Sequence, residues 1–245
     1  ARHPPDIRKR KENFIMTYAV SDLHGCYDKF KKLLRTIHFT DKDVMYVLGD
    51  IVDYGEESIE LLCDLSMRCN VIPIVGDHDL LALKMLTELD KMLRDGAAPD
   101  PEIIGQMTEW IRDGGQKTME GFKALDDDMK EGVLDYLSDM SLYEEAEAGG
   151  KKYILLHAGI AGFEPDTPLD DYMPEDFISK PLDPERTYYD DAFVVAGHVP
   201  TYEIPGAEKG RIFHSGNNIF IDCGAAFDEP LGCLCLENGK EFYIA

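Results

Sequence analysis

Six side chains in this sequence have the types and spacing of a transition-metal site: Asp22, His24, Asp50, Asp77, His157 and His198. They close five apolar runs, FIMTYAV before SDLHG, VMYVL before GD, VIPIV before GDHD, YILL before HAG, and FVVA before GHVP. A lone histidine or Gly-Asp pair at such a place is ordinarily a hydrogen-bonded loop or turn. Five repetitions of one arrangement argue instead for a shared site. Carboxylates and imidazoles together suit manganese, iron or zinc better than magnesium or calcium. Six donors exceed one catalytic ion and fit two that share a carboxylate. Such a pair, about 3.5–4 Å apart, activates a bridging water and clamps a phosphoryl group.

The elements that must position these groups are legible around them. Continuous apolar runs of this length read as strands buried on both faces. Phe30, Leu33, Leu34 and Ile37 repeat at helical spacing, and a second helix is expected from Glu57 to about Met67. Strand–helix alternation predicts an α/β fold. Ligand sites in such folds lie beyond the carboxyl ends of the strands. From about residue 78 to 140 the pattern turns helical, an insertion marked by Leu81, Met85, Leu89 and Met92, by Asp100-Pro101 ahead of a helix that Gly114-Gly115 stops, and by Met129, Val133, Tyr136 and Leu137. Trp110 lies on an apolar helical face and is expected in the core. From Ile212 onward short alternating runs read as antiparallel strands, with Asn238-Gly239 as a hairpin turn.

Composition narrows the partners. The 245 residues carry 44% apolar side chains and a formal charge of −23, a field that repels nucleic acid. The acidic runs Asp126–Asp128 and Glu144–Glu147 read as solvated faces. No apolar stretch approaches a membrane span. Residues 1–15 are basic, lack the apolar centre of a signal peptide and read as a flexible tail ahead of one domain over 16–245. A cytoplasmic location and reduced, core-packed cysteines are therefore expected.

Together SDLHG (21–25), GDIVDYG (49–55), GDHD (76–79), HAG (157–159) and GHVP (197–200) resemble, in order, the motifs of the calcineurin-like metallophosphoesterases. Within them the chain is most similar to the bacterial and phage branch of the PPP serine/threonine phosphatases. The resemblance implies a four-layer α/β/β/α sandwich of two mixed sheets with a dinuclear metal centre. It implies that Asp22 and His24 hold one ion, that Asp50 bridges, and that Asp77, His157 and His198 complete the second. It makes His78 the acid that protonates the leaving group and Asp53 the residue that orients its ring. Asp79, where the family has glutamate, is expected to support the ligands rather than bind.

Three positions depart from that pattern. Asp77 replaces an asparagine, Tyr54 an arginine, and Lys180 aligns with another phosphate-binding arginine, for which Arg186 is the alternative. The additional carboxylate lowers the charge of a loaded centre by one and could favour a mixed-valence pair with trivalent iron. The leading expectation is a protein-phosphatase-like phosphomonoesterase acting on a phosphorylated protein or small phosphoester, with Tyr54 and Lys180 near the phosphate. A nucleotide or diadenosine-polyphosphate hydrolase shares these motifs, and a phosphate-binding module with weak catalysis is the third reading.

Overall fold

The computed structural model describes residues 15–96, 100–178 and 180–245, so the expected tail over 1–15 lies almost wholly outside the described residues. Among the described residues, ten strands form two five-stranded sheets. In the first, β1 (Thr17–Val20), β2 (Val44–Leu48) and β3 (Val71–Ile74) run parallel, and β9 (Leu231–Cys235) and β10 (Glu241–Ile244) continue antiparallel beyond β1. In the second, β5 (Lys151–Leu156), β6 (Ala192–Ala196) and β8 (Asn218–Phe220) run parallel, flanked antiparallel by β4 (Tyr143–Ala148) and β7 (Phe213–Ser215).

Alternation along the strands explains why the runs are apolar throughout. Met45 and Val47 of β2 face a helix-covered core, while Tyr46 and Leu48 face the core between the sheets. In β5, Tyr153 and Leu155 join that central core, and Ile154 and Leu156 face the outer side of the second sheet. Both faces are thus dry along the apolar runs of these two strands, as parallel strands require. Helices α1 (Tyr27–Ile37), α2 (Ser58–Ser66), α3 (Asp77–Asp95), α4 (Pro101–Trp110), α5 (Gln116–Ala124) and α6 (Asp127–Ser138) supply side chains to the first outer core. The layer over the second sheet is thinner: short α7 (Pro174–Ile178) and loops bring Phe163, Leu169, Phe177 and Leu182. The molecule has the expected two-sheet α/β architecture. Among the described residues no helix is long and apolar enough to cross a membrane.

Several local expectations change. Gly114-Gly115 does not stop a helix outright: residues 111–115 form one wide, kinked turn, Gly114 takes φ +97°, and α5 follows at once. Glu144–Glu147 lie in edge strand β4, while Asp126 caps α6 by accepting the Met129 N–H. Strand β8 is antiparallel to β7 but parallel to β6. Cys223, Cys233 and Cys235 are buried, whereas Cys26 and Cys63 are half-buried and Cys69 is exposed.

Candidate metal centre

Every parallel strand delivers its terminal residues to one edge of the sandwich. Asp22 and His24 follow β1, Asp50 and Asp53 follow β2, Asp77 and His78 open α3 after β3, His157 follows β5 and His198 follows β6. The loops turn sharply. Asp22, His24, Asp50, Asp53, Tyr54 and His198 all have φ between 41° and 72°, a region that costs a non-glycine residue on the order of 1 kcal/mol. Such strain persists only where surrounding contacts impose it. Here the His24 N–H donates to the Asp50 carbonyl at 2.8 Å, and the Asp22 N–H to that of Gly49 at 3.1 Å.

Two donor groups result, Asp22–His24–Asp50 and Asp50–Asp77–His157–His198, with Asp50 common to both. Asp50 Oδ2 lies 3.6 Å from His24 Nε2, and its Oδ1 lies 3.5 Å from His157 Nε2. One oxygen of the carboxylate thus faces each group. Asp77 Oδ1, His157 Nε2 and His198 Nδ1 are 2.9, 2.9 and 3.2 Å apart. Adjacent ligands at right angles round an ion with bonds of about 2.1 Å have such separations. Each buried imidazole is fixed through its other nitrogen: His24 Nδ1 donates to the Val52 carbonyl at 2.8 Å and His157 Nδ1 to the Leu48 carbonyl at 2.9 Å. That leaves Nε2 lone pairs aimed inward, as metal-binding histidines are held. The donor set fits two cations.

Close approach of backbone makes the geometry possible. A Cβ on Gly76 would lie 2.2 Å from Asp50 Oδ1, and one on Gly197 would lie 2.1 Å from Asp22 Oδ2. Gly76→Ala is therefore expected to displace Asp50, cost about 1–3 kcal/mol of stability and empty both donor groups together. Urea unfolding with metal analysis checks this, and an alanine variant with unaltered midpoint and metal content would contradict it.

The electrostatics show how much negative charge the cluster concentrates. Burial, then the charge of Asp222, raises the Asp22 carboxyl well above its usual range; burial and Asp77 do the same to Asp50. Burial of His157 opposes its charged form, but the Asp77 bond and the fields of Asp22 and Asp77 outweigh this and raise it to about 9. Asp77 moves the other way: burial is overcome by hydrogen bonds from His157 and His198, which hold its carboxyl far below the usual range. Burial, then the nearby His78, lowers His24 to about 3.

Beside the donors, His78 Nδ1 is 2.8 Å from Asp53 Oδ2, so the ring presents Nε2 to the open side. Asp53 is completely buried, and two residues that sequence reasoning had not connected to it hold it there. Trp110 donates its indole N–H to Oδ2 at 2.8 Å, and Thr118 donates its hydroxyl to Oδ1 at 2.8 Å. Trp110 is buried as expected, but it is more than core packing. Burial opposes a charged His78, yet the Asp53 bond and the fields of Asp50, Asp53 and Asp77 raise it to about 9. Asp79 accepts the N–H groups of Ile51, Val52 and Gly76 and braces the loop after β2.

The centre opens into a cavity of about 270 Å³ lined by His24, Asp50, Tyr54, Asp77, His78, His198, Pro200, Tyr202, Glu203, Asp222 and Phe227. Tyr54 reaches it with its ring, 5.1 Å from those of His78 and Phe227, while its hydroxyl donates to Asp113. Lys180 is exposed and is not among the lining residues. Arg186 donates to the Phe163 carbonyl and lies over the Phe163 and Tyr188 rings. Neither cation is brought into the cavity. Asp222 follows β8 and is buried at its wall, where burial raises it to about 6. Its signal was present in FIDCG, one more apolar run ending in aspartate; Trp110 and Thr118 carried none.

A two-sheet sandwich with acidic and imidazole donors gathered beyond its parallel strands has the architecture of a metallophosphoesterase. The chain belongs to the calcineurin-like phosphoesterase family, whose pattern matches residues 16–230. Among curated relatives, a symmetrical bis(5'-nucleosyl)-tetraphosphatase of Actinobacillus succinogenes is 34% identical over 106 residues, 40% of this chain and 38% of that one. One of Acidovorax sp. is 28% identical over 146 residues, 58% and 43% of the two chains. The match thus spans about two fifths of these relatives' length. Among solved structures, a protein provisionally described as a diadenosine tetraphosphatase superposes with TM-score 0.62 at 18% identity, covering 95% of this chain and 94% of that one. A protein serine/threonine phosphatase from Saccharomyces cerevisiae superposes with TM-score 0.54 at 13% identity, covering 92% and 73%. At such identities the likeness is one of fold.

Proposed function

We propose that this metal-dependent phosphoesterase hydrolyses dinucleoside polyphosphates, splitting the tetraphosphate chain between its second and third phosphates. The observation that carries the reading is the wall of the cavity. Tyr54, Tyr202 and Phe227 contribute aromatic rings to it, and among the described residues no lysine or arginine lines it. A phosphomonoester site that relies on an arginine fork lacks its fork here. A nucleoside instead brings a π face, and base–aromatic stacking contributes about 1–3 kcal/mol per base. The curated relatives named as symmetrical bis(5'-nucleosyl)-tetraphosphatases support this reading over the protein-phosphatase one.

Asp22 and His24 would hold one cation, Asp77, His157 and His198 the other, and Asp50 would span them. Manganese, iron or zinc would suit these donors. When bound, the pair supplies Lewis-acid charge and an acidified water beside the reacting phosphorus. His78 stands at the cavity to give its Nε2 proton to the departing phosphate oxygen. Asp53 accepts from Nδ1 and favours the doubly protonated ring, the form with an Nε2 proton to give, and Trp110 and Thr118 keep Asp53 in place. Water adds to one phosphorus, the bond to the bridging oxygen breaks, and two nucleoside diphosphates leave. Incubation of manganese-loaded protein with diadenosine tetraphosphate is expected to yield ADP as the sole nucleotide product. ATP with AMP, or no reaction, would overturn the assignment.

Cation binding is expected to release protons. Asp22, Asp50 and His157 all have raised pKa values in the cation-free cluster, so protons compete for the donors and metal affinity climbs with pH up to about 9. Titration calorimetry of manganese binding in buffers of different ionisation heat checks this. Equal affinity at pH 6 and pH 8, without proton release, would contradict it.

A further inference from the structure

Asp77 lines two hollows. Besides the aromatic cavity, it borders a second of about 470 Å³ with Leu80, Leu81, Leu83 and Lys84. Positions 77, 80, 81 and 84 share one stripe of α3 (i, i+3, i+4, i+7), which runs about 10 Å from the metal-site end of the helix. Leu80 is 38% exposed on this stripe. A single exposed leucine means little by itself; its weight comes from continuity with Asp77, whose carboxylate is 41% exposed between the two hollows and paired to His157 and His198. Asp77 is therefore the donor shared by the aromatic cavity and the aliphatic hollow. A monoester needs one such hollow beside the reacting phosphorus. A molecule with a nucleoside at each end of a polyphosphate needs two.

We infer that the Leu80–Leu81–Leu83–Lys84 hollow is the subsite for the second nucleoside. The base lies against Leu80 and Leu81. The Lys84 ammonium, which now donates to Gln106 Oε1 at 2.7 Å, is the one lysine or arginine among the described residues lining either hollow, and it donates to the ribose hydroxyls. The first nucleoside occupies the aromatic side, so the polyphosphate crosses Asp77. This assignment rests on the dinucleotide reading above and adds to it the residues that recognise the far end.

The test is the ratio of kcat/KM for diadenosine tetraphosphate to that for p-nitrophenyl phosphate, measured with manganese on wild-type protein and variants. Leu80→Asp is expected to lower the ratio about tenfold, through KM for the dinucleotide, because a charged carboxylate replaces apolar contact. Leu80→Met should restore most of it. Lys84→Ala, on the exposed rim, should lower the ratio roughly threefold, about the weight of one hydrogen bond, and serves as an independent readout should Leu80→Asp fold poorly. A ratio unchanged in Leu80→Asp and Lys84→Ala, on a wild type that cleaves the dinucleotide, overturns the subsite alone. A wild type that cleaves the aryl ester but not the dinucleotide overturns the subsite together with the reading beneath it.

Discussion

Asp50→Asn is expected to reduce turnover by on the order of 10³ or more and to lower cation content at both donor groups together. The carboxylate is buried, and its two oxygens face different groups, towards His24 at 3.6 Å and His157 at 3.5 Å. Asparagine keeps the shape but offers one neutral oxygen and turns an NH₂ towards one cluster. It also removes a negative charge that would offset both cations. By contrast, Asp77→Asn should spare the Asp22–His24 side, because Asp77 contacts only His157 and His198 among the donors. Elemental analysis of the two variants beside wild type distinguishes them. Loss confined to one ion in Asp50→Asn would rule out a bridging role.

His78→Asn is expected to retain the cations and lose about 10²–10⁴ in turnover on esters with poor leaving groups. Its N–H already donates to Asp50 Oδ1, a contact that asparagine keeps through its backbone. The loss should shrink across a series of aryl phosphates as the leaving phenol becomes more acidic, because an activated leaving group needs little protonation. Trp110→Phe deletes one hydrogen bond to Asp53 and leaves an aromatic ring in the core. A loss of about tenfold with the same leaving-group dependence is expected, from a bond to a charged acceptor. Losses independent of the leaving group would assign His78 to substrate binding and Trp110 to packing.

The sheet and donor set were legible because each obeys a local rule. A strand buried on both faces must be apolar throughout, and a donor placed at its end breaks that run abruptly. VMYVLGD displays both in seven residues, and FIDCG repeats the signature at Asp222. What was not legible depends on contacts distant in sequence. Thr118 lies 65 residues from Asp53 and Trp110 lies 57 away, and nothing in a helical QKTMEGFKA marks its threonine as a carboxylate's partner. Gly114-Gly115 signalled an interruption but not its purpose. The kinked turn presents Asp113 and the Gly114 carbonyl to Tyr54, and a Cβ on Gly114 would strike the Tyr54 ring at 2.8 Å. Tyr54 looked like a weak stand-in for arginine. Its hydroxyl is instead taken by Asp113, and its ring is what the cavity meets.

That substitution bears on the choice of substrate. A neutral ring among acidic lining residues gives a phosphopeptide little to bind except the cations, whereas a nucleoside gains a stacking surface. The most direct measurement is a competition between diadenosine tetraphosphate and a phosphoserine peptide for the manganese-loaded protein. Both products are followed in one reaction, so that relative kcat/KM is read without correction for active fraction. Preference for the dinucleotide by at least about tenfold is expected, the weight of one stacked base. Equal or better turnover of the phosphopeptide would contradict it.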